Sequence, residues 1–165
     1  MEHDAETLIR LLGLTPHPEG GHYRELYRSA EEHPADALPA RYGGERAYGT
    51  GIYYLLRARE RSRFHRIKSD EIWHHYQGCP VVLHLLHGDG TYQRAVVGPP
   101  PRGDGWQLVI PYGVWFAAEL LGDAGYALVG CTVAPGFDYA DFELADGDVL
   151  RERYPQHKAL IARLT

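Results

Sequence analysis

Two cysteines in 165 residues, Cys79 and Cys131, are too few for a disulfide framework or a cysteine-rich zinc site. Cys79 sits in a Gly-Cys-Pro turn and Cys131 in the apolar run Ala127–Val133, so both read as reduced, largely buried thiols. The chain also lacks a basic surplus. Its net charge of −5 argues against a general binder of nucleic acid or anionic membranes, which need a positive surface. No apolar run approaches the ~20 residues of a membrane-spanning helix. The acidic start, Met1-Glu2-His3-Asp4, lacks the basic and apolar regions of a secretory signal. A cytoplasmic location is the expectation that follows. No nucleophile elbow or phosphate loop is visible either.

What the chain has in quantity is histidine and tyrosine, ten and twelve residues. Each combines an apolar body with a polar tip, which suits half-polar pockets. The length fits one domain spanning residues 1–165. A first helix is expected from Asp4, its N-cap, to Gly13, with Leu8, Ile9, Leu11 and Leu12 as its apolar stripe. His17–His22 reads as a turn whose glycines supply positive φ, and Ser29–Glu45 as a solvated loop. From Ala47 to about Glu143 short β-like runs alternate with turn signals, indicating an antiparallel sandwich or barrel. A short helix after Pro155 closes the chain.

The densest chemistry lies in Phe64–Gly78. If this stretch is one regular strand, His65, Ile67, Ser69, Glu71, Trp73 and His75 share a face. A bulge near Ser69-Asp70 would reset that register. His65 and Glu71 are the candidate catalytic pair, with His65 as general base and Glu71 as its orienting carboxylate or as the acid. Trp73, His75, Phe116, Ile67 and Tyr54 are candidate ligand-binding residues, and Tyr23 and Tyr53 further pocket phenols. For Trp73, Trp115 and Phe116, simple core filling is the competing reading. Pro135–Glu143 reads as a loop covering the barrel mouth or meeting a partner subunit, with Asp138, Asp141 and Glu143 as solvent or turn ligands.

The spacing resembles the first motif of the cupin superfamily, H-x-H, three or four residues, E, six residues, G. His65, Glu71 and Gly78 hold the first His, Glu and Gly positions, and Ile67 stands at the second His. The second motif, G-x5-P-x-G-x2-H, is matched at Gly105, Pro111 and Gly113, with Phe116 where its histidine would be. Within the superfamily, His17-Pro18-Glu19-Gly20-Gly21, Ser69–His74, Pro111–Trp115 and Ala134–Glu143 together resemble one small cupin family of unknown function. The resemblance implies an all-β double-stranded β-helix (jelly roll) with short N- and C-terminal helices, commonly dimeric, similar in architecture to germins and dTDP-sugar epimerases. Since two of four metal ligands are replaced, no cofactor is expected. A divalent metal, if any, would use His65 and Glu71 in a rearranged site with His75, Gln77 or Glu119. The expected function is binding of a small polar, sugar-like metabolite in the lumen, with metal-independent epimerase or isomerase chemistry. A non-catalytic binder or sensor is the alternative, a metal-dependent cupin the second, and a storage-like structural dimer a third.

Overall fold

The computed structural model describes residues 4–165. Helix α1 (Ala5–Leu12) begins where expected: the Asp4 carboxylate accepts the Thr7 amide at 2.7 Å, and Gly13 ends the helix in the left-handed conformation. Short strands follow: β1 (Thr15–Pro16), β2 (His22–Arg28), β3 (Glu32–His33) and β4 (Arg46–Ala47). The body of the fold is β5 (Thr50–Arg57), β6 (Arg61–Arg66), β7 (Asp70–Gly78), β8 (Val81–Leu86) and β9 (Tyr92–Val97). It continues through β10 (Gln107–Ile110), β11 (Trp115–Leu120), β12 (Tyr126–Ala134) and β13 (Glu143–Leu144). Two helices end the chain, α2 (Gly147–Arg153) and α3 (Lys158–Leu164).

The strands form two main antiparallel sheets. One has the order β1-β2-β5-β12-β7-β10, the other β13-β6-β11-β8-β9, and β3 pairs with β4 separately. Between the two sheets, Tyr54, Leu56, Trp73, Leu83, Leu85, Phe116, Val129 and Cys131 form one continuous core. The outer face of the five-stranded sheet is covered by α2 and α3, through Phe64, Leu86, Trp115, Leu150, Ile161 and Leu164. Helix α1 packs Leu8 against Leu55 and Leu128 on the other sheet. This is the jelly roll that the strand pattern and the motif resemblance predict.

Three local readings change. The stretch from Phe64 to Gly78 is not one strand. β6 belongs to the five-stranded sheet and β7 to the six-stranded one, so His65 and Glu71 lie on facing layers across a corner at 67–69. The Tyr42 and Ser69 hydroxyls, 3.0 Å apart, and the Arg41 side chain donating to the Lys68 carbonyl hold this corner. The register slip in this region falls beside Tyr76, where β7 meets β12, rather than at Ser69-Asp70. The Ser29–Glu45 loop is not wholly solvated, since Tyr42 is buried. And α2, capped by the Asp146 carboxylate on the amides of Asp148 and Val149, was not expected, because its seven residues carry only Val149 and Leu150 as apolar signal.

Candidate functional site

Strand alternation divides the lumen into two ends. On β7, Glu71, Trp73 and His75 all point inward and are buried. They are spread over about 13 Å along the strand at ~3.3 Å per residue. Around Trp73 and beyond it the lumen is filled by side chains. Around Glu71 it is open, forming a cavity of about 400 Å³. Ile52, Ile67, Cys131 and Val133 give it an apolar wall, and Glu19, His65 and Glu71 its buried ionisable groups.

The cavity mouth is shaped by the 135–143 segment, which contributes Phe137, Asp138, Tyr139 and Phe142. Phe142 lies edge-on to Phe137 and Tyr139, and the Tyr139 and Tyr23 hydroxyls are 3.1 Å apart across the opening. Arg28 donates to the Phe137 carbonyl at 2.9 Å. The segment is anchored from beneath by Asp141, which is buried rather than solvated as the sequence suggested. Its two oxygens accept Nε and Nη2 of buried Arg46, both at 2.7 Å. Removing one partner of a buried pair strands the other charge, at a cost of about 3–5 kcal/mol. Asp141→Ala should therefore destabilise the protein by that order and raise amide exchange at 137–142 above that of β5 and β12. Unchanged exchange there would dissociate the pair from the mouth.

The central charged unit is the Glu19–His65 pair, which the sequence did not reveal. Glu19, 5% exposed, points into the site from the turn before β2. One of its oxygens lies 2.9 Å from His65 Nε2, and the other accepts the Ser62 hydroxyl at 2.8 Å. His65 Nδ1 meets the Arg63 carbonyl at 2.7 Å, and the ring packs on Phe116 with centroids 4.0 Å apart. Both imidazole nitrogens thus face oxygen acceptors, an arrangement that favours the imidazolium. Burial alone would lower the His65 pKa. The charge of Glu19, its hydrogen bond and the charge of Glu71 outweigh that and raise it. The converse holds for Glu19: burial raises its pKa, and His65 brings it below the usual carboxylate value. His17, 3.5 Å from Glu19, is kept neutral mainly by burial.

The carboxylate bonded to His65 is therefore Glu19, not Glu71. Among the described residues Glu71 has no basic side chain in contact, and it lies beside the Cys131 thiol and the Trp73 indole. Burial raises its pKa to about 7, with His65 opposing and Glu19 reinforcing the rise. Its protonation changes near neutrality.

The other expected site residues separate. Ile67 and Tyr54 line the cavity, Tyr54 donating to the Gly20 carbonyl at 2.7 Å. Trp73 and Phe116 lie one layer deeper, in the core, behind Tyr54 and His65 respectively. His75 is at the filled end, its Nε2 against the Cys79 carbonyl and its ring near Trp106. Tyr53 turns outward to Tyr76, whereas Tyr23 lines the mouth. Glu19 was missed because His17–Gly21 reads locally as a turn. Its glycines do carry positive φ, and a Cβ on Gly21 would stand 2.7 Å from the Tyr54 hydroxyl. The overlooked signal was a carboxylate between Pro18 and two glycines, where a simple turn gains nothing from it.

Positions 65, 67, 71 and 116 do converge on the lumen, and two of them are apolar. Among the described residues no group of three or more His, Cys, Asp or Glu side chains could hold a metal ion. Glu119, a possible rescuer, is instead bonded to His84, away from the cavity. These side chains do not fit a four-ligand metal.

Residues 6–145 match the family model for the Cupin superfamily (DUF985). The chain belongs to this family. Two solved structures of similar length and the same fold are a hypothetical protein from Leishmania major and a protein from Shewanella oneidensis. They are 38% and 36% identical, with TM-scores of 0.89 and 0.88. Each alignment covers 99% of this chain, and 99% and 98% of theirs. Oxalate decarboxylase from Bacillus subtilis shares the fold at 15% identity and TM-score 0.55, over 91% of this chain and 36% of its own. Among curated proteins none matches. Among the described residues of this cupin no helix is long and apolar enough to cross a membrane.

Proposed function

We propose that this cupin binds a small, neutral, hydroxyl-rich metabolite in the cavity and isomerises or epimerises it, with Glu71 as the acid–base group. The observation that carries this reading is the position of Glu71: buried at the cavity wall with a pKa of about 7. A group poised near ambient pH combines a useful basic fraction with adequate basicity. The ionised carboxylate takes a proton from the carbon next to a substrate carbonyl. The carboxylic acid so formed returns it to the neighbouring carbon of the enediolate as the hydroxyl proton passes to the former carbonyl oxygen, or to the same carbon after the enolate has turned its other face toward Glu71. His65, with both nitrogens occupied, acts here as a positioning residue that holds Glu19 and sets the field at Glu71, in place of the base role first expected of it.

The cavity also favours a neutral ligand over an anion. Its lining carries Glu19, Glu25, Glu71 and Asp138 against His65 and Arg28. About 400 Å³ falls within the range of small-molecule sites, and Tyr23, Phe137, Tyr139 and Phe142 offer ring faces for a sugar-like ring. A non-catalytic binder is the second reading, favoured by the absence, among the described residues, of a basic side chain in contact with Glu71. Metabolite capture on purified protein, followed by incubation of the captured compound, separates the two. Turnover by wild type and a 10²–10⁴-fold loss in Glu71→Gln with binding retained is the expected result. Recovery of the compound unchanged from wild type supports the binder, and wild-type turnover by Glu71→Gln removes Glu71 from the chemistry.

A further inference from the structure

A second concavity, of about 440 Å³, lies on the outer face of the five-stranded sheet beside the end of α3. Four arginines border it: Arg59, Arg61, Arg94 and Arg163. The cross-strand register builds the cluster, with Arg61 opposite Glu119 on β11 and Arg94 opposite His84 on β8. Glu119 is the acid at its centre, and it is already committed. Its oxygens accept His84 Nε2 at 3.0 Å and Arg163, and Arg61 Nε lies 3.6 Å away.

That leaves donors over. The exposed side chains of Arg59 and Arg94 have neither ion pair nor hydrogen bond among the described residues. Arg61 Nε is buried with no acceptor within hydrogen-bond distance. Arg59 is moreover the one non-glycine residue with positive φ among those described, 68°, so the β5–β6 turn accepts backbone strain at this residue. The remaining acids of the lining are Glu60, held by the Arg57 guanidinium, and Asp123, exposed on the neighbouring turn. Four guanidiniums against three carboxylates leave a positive excess in a chain whose net charge is −5. The field is felt at His84, where burial lowers the pKa, Glu119 opposes, and the charges of Arg163 and Arg94 add to the lowering.

We propose that this notch binds the phosphate group of a small soluble molecule. Several guanidinium forks around a concavity match the tetrahedral oxygens of a phosphate, and its charge would answer the unpaired guanidiniums of Arg59 and Arg94. The volume exceeds that of the ion alone, leaving room for the organic part of a monoester. The site is separate from the lumen cavity, so it stands or falls independently of the acid–base reading.

The test is titration of the isotope-labelled full chain at low salt, followed by NMR at the arginine Nε–H groups and the His84 ring. Inorganic phosphate and glycerol phosphate are the probes, with chloride at matched ionic strength as control. Saturable shifts confined to Arg59, Arg61, Arg94, Arg163 and the His84 ring are expected. Arg94→Ala and Arg59→Ala, both at exposed positions, should each weaken the affinity about tenfold, the equivalent of one charge-assisted hydrogen bond. Tighter binding of glycerol phosphate identifies a phosphorylated metabolite as the ligand, and equal affinities identify the free ion. Phosphate and chloride curves that superpose, or wild-type affinity in both variants, would overturn the proposal.

Discussion

Replacing Glu71 by glutamine should make the protein more stable at pH 8 while leaving it almost unchanged at pH 4. The sign follows from the raised pKa. With a folded value of about 7 against an ordinary 4.5, the native state holds its proton more tightly than the unfolded chain. Below the unfolded value both states are protonated and no penalty exists. The cost accrues as pH rises between the two values and is complete above the folded one, at on the order of 3 kcal/mol. Glutamine keeps the shape, and it carries no charge to desolvate. For a domain of this size, 3 kcal/mol corresponds to about 6–12 °C in Tm. Thermal denaturation of both proteins at the two pH values reads this directly. Equal Tm values at pH 8 would mean that Glu71 is not held in a poorly solvated site.

Glu19→Ala should have the largest effect in the opposite direction. It leaves the buried His65 ring without its anion and Ser62 without its acceptor, and breaking a buried pair from one side costs about 3–5 kcal/mol. A fall in Tm of about 10 °C is the expected readout at pH 7. The loss should itself depend on pH. The raised His65 pKa contributes stability that is full below the ordinary imidazole value and lost as pH rises through the folded value. The lowered Glu19 pKa contributes stability present above the ordinary carboxylate value and lost as pH falls through the folded one. The variant should therefore differ most from wild type between these limits. With Glu19 gone, burial acts on His65 opposed by fewer charges, and its imidazole NMR titration should move downward. A variant as stable as wild type, with an unmoved His65 titration, would rule out the pair.

The architecture was legible because its signals are local. Asp4 and Gly13 mark a helix by their own backbone chemistry, and turn residues between apolar runs mark strands. The site was legible only in part. Alternation placed Glu71, Trp73 and His75 on one face of β7, as observed, but alternation carries no information about depth along the lumen. Only Glu71 of the three reaches the cavity. His65 and Glu71 face one lumen for a different reason than parity, since they belong to strands of opposite sheets. The Glu19–His65 bond joins residues 46 positions apart through tertiary packing, which no periodicity encodes. Asp141 was read as a solvent or turn ligand and is the buried anchor of the mouth, because its partner Arg46 is 95 positions away in the chain and meets it only through tertiary packing.

The central claim is that Glu71 is a carboxyl group poised at neutrality in an open cavity. Carbon-detected NMR titration of the protein labelled at glutamate carboxyls, assigned by comparison with Glu71→Gln, tests it most directly. The account predicts a Glu71 midpoint near 7. A midpoint near 4.3, that of an ordinary solvated glutamate, would contradict it.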